Sequence, residues 1–290
     1  MEKPLVSVLL ASYNHEKYVE AAVRSIMDQK GVAFELLVID DGSSDSSPEI
    51  LERLSKELAF QYRHRPNKGL VPTLNELLSE ARGKYFCTFA SDDIMAPGRL
   101  CAQSNFLENH PEKVACFGMI QLMDNSGNLA NTPDMRYIRS IPEVTFEEFF
   151  LGKKELHGCS EMLRLKPFKE LGGYDEGFPF EDFPLWLKLL KKYGSVPVLP
   201  NVCTYYRCHG DNMSSDGDLM YGTFLEVLKL YRDEPLYRKA QNIWKSHWFS
   251  NLAFYRKKEA FFRLPRLASF SWPFLKRFPK LLIPRCFLKR

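Results

Sequence analysis

LVSVLLA, residues 5 to 11, is a nearly continuous apolar run that gives way at residue 12 to the polar SYNH, residues 12 to 15. Strands with one wet face alternate polar and apolar residues, whereas an unbroken apolar run suits a strand covered on both faces. YVEAAVRSIM (18–27) follows with Tyr18, Ala22, Val23, Ile26 and Met27 at helical spacing. The two periods then repeat. FELLVI (34–39) leads through DDGSSDSS (40–47) into SPEILERLSKEL (47–58), where Ser47 is expected to cap a helix and Pro48 to open its first turn. TLNELLSEA (73–81) reads as a third helix and KYFCTF (84–89) as a third strand. Strands and helices alternating through short connections predict an α/β fold, a mostly parallel sheet flanked by helices.

Right-handed crossovers place the C-terminal ends of parallel strands along one edge, where open α/β sheets bind ligands. SYNH, DDGSSDSS and SDD (91–93) all fall at such ends. One of them alone is an ordinary solvated loop; three along one edge predict a site. Beyond residue 110 the pattern is less regular. VACFGMIQLMD (114–124) reads as a strand with its turn at NSGN, EDFPLWLKLLKKYG (181–194) as a helix with Leu185, Trp186, Leu189 and Leu190 inward, and VCTYYRC (202–208) as a late strand. From about 218 the period is helical. The expected organisation is a catalytic domain over 1–215 and a helical, basic, aromatic region over 216–290.

At 290 residues, with 45% hydrophobic and 13% aromatic residues, the chain can bury a sizeable core. It has no apolar run of roughly 18 residues, and its first residues show neither a basic leader nor a cleavage site, so it is read as cytoplasmic. The seven cysteines, at 87, 101, 116, 159, 203, 208 and 286, form no C-x-x-C pair and are read as reduced, mostly buried thiols. Asn212 opens an N-x-S sequon, read as accidental without a secretion signal. The net charge of +4 conceals an asymmetry: residues 256–290 hold eleven Lys/Arg against one acid, Glu259, giving +10 there and −6 over the first 255 residues.

Two acid pairs bear on chemistry. Asp92 and Asp93 end an apolar run side by side, an arrangement that serves as a helix cap, a solvated turn or a ligand set for a hard divalent cation such as Mg²⁺ or Mn²⁺. Glu181 and Asp182 stand at a helix start, where acids commonly cap and complement the dipole.

In order and spacing, VSVLLASYNHEKYVEAAVRSIMDQ, ELLVIDDGSSDSS, NKGLVPTLNELLSEARGKYF, SDDIMAPGRL, LGGYDEGFPFEDFPLWLKL and YRCHGDNMS resemble family 2 glycosyltransferases of the GT-A fold. The resemblance covers about residues 5 to 215 and leaves the C-terminal quarter outside. It implies a Rossmann-like sheet and donor contacts at Ala11, Tyr13 and Asp41, an aromatic face for the base and a carboxylate for base or ribose; Tyr13 would otherwise be a core residue, and Asp40 is expected to brace the turn. Asn67, Lys68 and Gly69 precede a helix N-terminus, whose free N–H groups and cation would suit a diphosphate. The resemblance makes Asp93 the direct metal ligand and Asp92 a ribose or metal-water partner. It places Arg207 by the diphosphate and His209 on the metal or a phosphate. His157 falls where relatives build the acceptor side. Many members have a further Asp where this chain has Ala90, leaving the metal site one carboxylate poorer. Asp182 is implied as the general base on the acceptor hydroxyl, with Glu181 helping to place the acceptor; direct displacement inverts the anomeric carbon.

The segment 256–290 mixes Lys and Arg with Phe, Trp and Leu and is broken by four prolines. Such a stretch rests on an anionic membrane, remains a solvated tail or touches nucleic acid. Because relatives build lipid-linked glycans, peripheral membrane contact is expected and a nucleic-acid partner is not. The function expected is thus an inverting, Mn²⁺- or Mg²⁺-dependent transferase moving sugar from a nucleotide donor, a UDP-sugar first, to a glycan or lipid-linked acceptor in polysaccharide, lipopolysaccharide or glycoconjugate synthesis. The competing reading is a non-catalytic sugar-nucleotide-binding or scaffold protein of the same fold. A dinucleotide oxidoreductase is disfavoured, since no G-x-G-x-x-G follows the first strand.

Overall fold

A computed structural model describes residues 3–130, 143–210, 212–269 and 271–283. The chain divides into two compact units, one of Met1–Phe146 and Glu155–His209, the other of Glu147–Lys154 and Gly210–Arg290.

The first unit opens with the predicted alternation and one strand, β3, that was not read from the sequence: β1 (Val6–Ser12), α1 (Val19–Met27), β2 (Phe34–Asp40), α2 (Ser47–Leu58), β3 (Gln61–His64), α3 (Leu70–Glu80) and β4 (Tyr85–Ala90). Strands β3, β2, β1 and β4 lie parallel and adjacent in that order. Val6, Val8, Leu9 and Leu10 of β1 are fully buried, as its unbroken apolar run requires. Next come β5 (Ile94–Met95), α4 (Arg99–Asn109), β6 (Ala115–Met123), β7 (Glu143–Thr145), then α5 (Phe146–Phe150), which from Glu147 on belongs to the second unit, and back in the first unit β8 (Met162–Arg164), α6 (Leu165–Glu170), α7 (Asp182–Tyr193) and β9 (Ser195–Arg207). Here the sheet turns mixed: β8 pairs antiparallel with both β4 and β6, and β6 runs parallel to β9, which carries β5 and β7 on its antiparallel side. The late strand read at 202–208 is the end of the thirteen-residue β9.

Two local expectations are corrected. Ser46, not Ser47, precedes α2 without a side-chain cap; Asp45 supplies the acceptor instead, taking the Ser47 N–H at 3.0 Å and the Glu16 N–H at 2.9 Å. In α1 the buried stripe is Val19, Ala22, Val23 and Ile26. Tyr18 falls just outside the helix, because the helix starts one residue later than read. Gly42, with φ of 79°, is required between β2 and α2: a Cβ there would stand 2.6 Å from the Asn67 nitrogen.

The second unit packs α8 (Gly217–Lys229), α9 (Tyr237–Tyr255), α10 (Lys257–Leu267) and α11 (Trp272–Arg277) around Phe249, Leu252, Ala253, Ala260, Leu267 and Phe274. Asp216 caps α8, accepting from the Asp218 and Leu219 N–H groups. The Asp218 carboxylate collects Trp248 Nε1 at 2.8 Å, Arg256 at 2.8 Å and Arg263 at 2.9 Å, tying α8 to α9 and α10. The six cysteines among the described residues are free; Cys286 and the end of the basic tail, 284–290, lie outside the described residues. Among the described residues no helix is long and apolar enough to cross a membrane.

Candidate active site

The strand register levels the predicted edge. Ser12 at the end of β1 pairs with Asp40 at the end of β2, and Ala11 pairs with both Ile39 and Ala90. Ala11 therefore stands in the middle of the row, and Tyr13, just beyond it, is 50% exposed, a ring presented to solvent and not to the core.

The two aspartates after β2 serve different partners. Asp40, fully buried, accepts from the Ser43 N–H at 2.9 Å, the Ser43 hydroxyl at 2.6 Å and His64 Nδ1 at 2.9 Å, the bracing of the turn that its position suggested. Asp41 faces the start of α3: it pairs with the Arg65 guanidinium and accepts the Lys68 and Gly69 N–H groups, each at 2.9 Å. The positive end of α3 thus already holds a carboxylate. This corrects the expectation of free N–H groups at Lys68 and Gly69, while the Lys68 ammonium is 3.2 Å from Glu76.

Around Asp92 and Asp93 three elements meet. His209 Nε2 lies 2.9 Å from Asp92 Oδ2, His15 Nδ1 lies 2.7 Å from Ser91 Oγ, and donor atoms of His15, Asp92 and His209 all fall within 4.8 Å of one another. Two imidazoles and a carboxylate at that spacing fit a divalent transition metal. Asp93 accepts the Arg207 N–H at 2.8 Å on one oxygen, and its other oxygen is buried with no hydrogen-bond partner, an additional anionic donor that a cation would satisfy. Burial, and then the neighbouring Asp92 charge, pushes the Asp93 carboxyl well above the usual range. The sequence had favoured Asp93 over Asp92 as ligand; the geometry instead groups Asp92 with the histidines. The Arg207 guanidinium, expected by the diphosphate, is buried and bonds to the backbone carbonyls of Asp92, Asp124 and Asn125. It also lies 4.8 Å above the Tyr18 ring, which stacks on His209 with centroids 5.2 Å apart.

The second acid pair stands at the start of α7. Glu181 and Asp182 are half-buried, and Asp182 accepts the Phe183 N–H at 2.5 Å. Desolvation raises Asp182 to about 6; desolvation and then the Asp182 charge raise Glu181 to about 8. Behind them Glu161, 1% exposed, accepts Trp186 Nε1 at 3.0 Å and the Thr88 hydroxyl at 3.1 Å, and burial pushes its carboxyl to about 7.

One short turn, Gly158–Ser160, adjoins this second pair. A Cβ built on Gly158 would be 3.7 Å from Glu181 Oε1, Asp182 Cβ and a Trp186 ring carbon. Burial, and then the Asp93 charge, raises the thiol of the next residue, Cys159. The turn is held by a buried cation: Arg99 donates to the carbonyls of Cys159 at 2.6 Å and Glu161 at 2.8 Å and to the Thr204 hydroxyl at 3.0 Å. His157, just before the turn, has its ring 6.5 Å from that of Tyr206. A concavity of about 1160 Å³ lined by Lys3, Arg82, Lys84 and Lys166 lies beside the starts of β1 and β4, at the far ends of these strands.

Residues 7–172, more than half of the chain, match the family described as Glycosyl transferase family 2. The chain belongs to that family. An uncharacterized glycosyltransferase of Rickettsia felis is 30% identical over 195 residues, which cover 65% of this chain and 32% of that protein, so the chain spans about a third of that relative. One from Rickettsia typhi is 27% identical over 91% of this chain and 84% of its own length. Bacillus subtilis TuaG, named as a candidate teichuronic acid biosynthesis glycosyltransferase, is 28% identical over 74% of this chain and 83% of its own. Among solved structures, S. aureus TarS 1–349 in complex with UDP-GlcNAc superposes with a TM-score of 0.65 at 19% identity, covering 96% of this chain and 80% of that one. The mannosyltransferase PcManGT from Pyrobaculum calidifontis, in complex with GDP-Man and Mn²⁺, gives 0.61 at 13% identity, covering 99% and 88%. The fold is thus the GT-A arrangement of this family.

His15, Tyr18, Arg99 and Glu161 were not read as site residues from the sequence, Tyr18 being read instead as part of a helix face. His15 carried a signal, since it lies in the polar cluster after β1. Arg99 and Glu161 carried none, because a charged residue that folding buries looks like any surface charge in the sequence.

Proposed function

We propose that the chain is an inverting, metal-dependent glycosyltransferase that transfers a sugar from a nucleotide diphosphate, a UDP-sugar first, to a hydroxyl of a glycan or lipid-linked acceptor. The observation that carries this reading is the cluster of His15, Asp92 and His209, whose donor atoms lie within 4.8 Å of one another beside the partnerless Asp93 oxygen. The donor class is supported by the UDP-GlcNAc and GDP-Man complexes of the two structural neighbours, and a role in surface polysaccharide synthesis by the likeness to TuaG.

In this reading His15, Asp92 and His209 hold Mn²⁺ or Mg²⁺, with the partnerless Asp93 oxygen beside them. When bound, the cation offsets charge developing on the departing diphosphate. Tyr13 offers its exposed ring to the base beside Ala11. Asp41 shapes the donor pocket by fixing Arg65 and the Lys68–Gly69 backbone, and Lys68 keeps an exposed ammonium there. Arg207 orders the loop that carries His209. Asp182 accepts the proton of the acceptor hydroxyl as its oxygen attacks the anomeric carbon, and the carbon–diphosphate bond breaks on the opposite side. Glu181, holding a proton at neutral pH, donates a hydrogen bond that orients the acceptor. The protein works in the cytoplasm, with residues 256–290 reaching the inner face of the membrane. The test is nucleoside diphosphate release from a panel of UDP- and GDP-sugars with Mn²⁺ and with a chelator. Chelator-sensitive turnover of one donor is expected; tight donor binding without hydrolysis or transfer would favour the non-catalytic reading.

A further inference from the structure

On α10, Lys258, Phe261, Phe262, Pro265 and Arg266 are all exposed and recur at i, i+3, i+4, i+7 and i+8, which places them on one face. The opposite side, with Ala260 and Leu267, enters the core of the second unit. Helix α11 repeats the arrangement: Phe274 is buried while Trp272, Leu275 and Lys276 face outward. The outward apolar side chains are large and well exposed: Phe261 63%, Phe262 78%, Trp272 75% and Leu275 50%, followed by Leu282 at 75%. A single exposed phenylalanine is unremarkable, but a set recurring on two successive helices in one basic segment is not.

Among the described residues the cations of this segment fall into two groups. Arg256 and Arg263 pair with Asp218, Lys257 bonds to the Leu281 and Ile283 carbonyls, Arg277 to Ser246 and His247, and Lys280 to Ser250, so these act within the unit. Lys258, Arg266 and Lys276 have no hydrogen-bond or ion-pair partner among the described residues, and all three share the aromatic faces. Glu259, the sole acid of the segment, is held by Arg256.

We infer that the outward faces of α10 and α11 lie on an anionic lipid surface, with Phe261, Phe262 and Trp272 entering the headgroup–acyl boundary and Lys258, Arg266 and Lys276 contacting lipid phosphates. Aromatic and basic side chains mixed on one face are what an interfacial helix needs, and Lys and Arg stems extend alongside the rings to reach phosphate. Charge excludes a second copy as occupant: two such faces brought together would set three cations against three, with no free acid to answer them. This deepens the membrane contact proposed above but rests on the second unit alone, so lipid binding and sugar transfer fail independently.

The experiment is flotation of the full chain with vesicles of phosphatidylcholine alone and with about one third phosphatidylglycerol, the cation effect being about fivefold per residue. Wild type is expected to float with the anionic vesicles only and to be released by salt. Lys258→Gln/Arg266→Gln/Lys276→Gln should bind about 100-fold more weakly, and Phe261→Ser/Phe262→Ser/Trp272→Ser should stay in the pellet fraction with an unchanged melting curve. A blue shift of fluorescence on adding anionic vesicles, lost in Trp272→Phe, would place that ring in lipid. The inference is overturned if wild type fails to float, if the aromatic variant floats as well as wild type, or if that variant converts a soluble dimer to a monomer.

Discussion

Trp186 donates its indole N–H to Glu161 across 3.0 Å, linking a buried carboxyl to the helix that starts at Asp182. Thr88 donates to the same carboxyl at 3.1 Å, so both contacts are donors and a deprotonated Glu161 is satisfied in hydrogen bonds yet poorly solvated. Glu161 is raised from the ordinary 4.5 to about 7. A raised folded-state value means that the native chain holds the proton more tightly, so stability is greatest below the unfolded value and is lost as pH rises toward about 7. Glu161→Gln keeps one acceptor oxygen for the Trp186 indole, turns its amide N–H toward the Thr88 hydroxyl, which accepts as readily as it donates, and removes the charge. It should match wild type near the ordinary carboxylate value and exceed it by up to about 3 kcal/mol above the raised one. Urea midpoints across pH measure this; a constant difference between the two proteins would contradict it.

Asp182 and Glu181 titrate as a pair, at about 6 and about 8. A general base must be unprotonated, so transfer should rise with pH through the lower value, while acceptor affinity that depends on the Glu181 proton should fall through the upper one. Asp182→Asn should lower transfer by about 10²- to 10⁴-fold with donor affinity unchanged, the range expected for a lost general base. Glu181→Gln cannot lose its donor at high pH, so it should retain the acid limb and remove the alkaline one. Initial-rate pH profiles with saturating donor, alongside donor titrations, separate these outcomes.

For the metal, the expected order of loss is decided by donor charge and contact. Asp92→Ala removes the charged member of the set and should abolish Mn²⁺ binding in the absence of donor. His209→Ala and His15→Ala each remove one imidazole and should weaken binding by about 10- to 100-fold, since first contacts and their orienting partners contribute on that scale. Affinity should also fall as pH is lowered, because protonated imidazole cannot ligate. Electron paramagnetic resonance of free Mn²⁺ reads all three without requiring turnover. Full affinity in His15→Ala would remove that residue from the set.

Three of the four parallel strands were legible because they are short, apolar and separated by helices of clear period; β3, QYRH, carries no apolar run and was missed. The mixed half was not: β8 is three residues long and β5 two, too short to show alternation, and each exists only through its neighbours, β8 between β4 and β6 and β5 against β9. The acid pairs were legible as pairs, since adjacent carboxylates at element ends stand out in any sequence. Their partners were not. Nothing in APGRL marks Arg99 as 1% exposed, and Asp41 looks solvent-facing until Arg65 and the start of α3 close over it. Tyr18 was read as core from helical spacing, but the helix begins at Val19 and leaves the ring on His209.

Arg99 offers a test of the turn beside Glu181 and Asp182. Its guanidinium reaches two carbonyls, a hydroxyl and, through Nε, the Gln103 side chain at 2.9 Å. Lysine keeps the charge but presents a single point donor, so Arg99→Lys cannot serve the Glu161 carbonyl, the Thr204 hydroxyl and the Gln103 side chain together, although the Cys159 carbonyl keeps the Thr204 hydroxyl as donor. A loss of about 3 kcal/mol is expected for breaking a buried, charge-assisted network of this kind. If thermal and urea unfolding show less than a tenth of that, the turn is held by packing and not by this cation.

Gly158 has room for a small side chain, and that room faces the proposed acceptor side. A methyl at this position meets nothing closer than 3.7 Å, an ordinary van der Waals distance, so Gly158→Ala should fold with stability within about 1 kcal/mol of wild type. The same methyl would lie beside Glu181 Oε1 and Asp182 Cβ, on the surface over which an acceptor hydroxyl must approach Asp182. The acceptor KM should therefore rise while the donor Kd and the Mn²⁺ requirement stay unchanged, and a bulkier Gly158→Leu should extend the effect to kcat by displacing Trp186 from Glu161. Equal rises in donor and acceptor KM would mean that the turn serves the donor, and the division of labour between the two acid pairs would have to be redrawn.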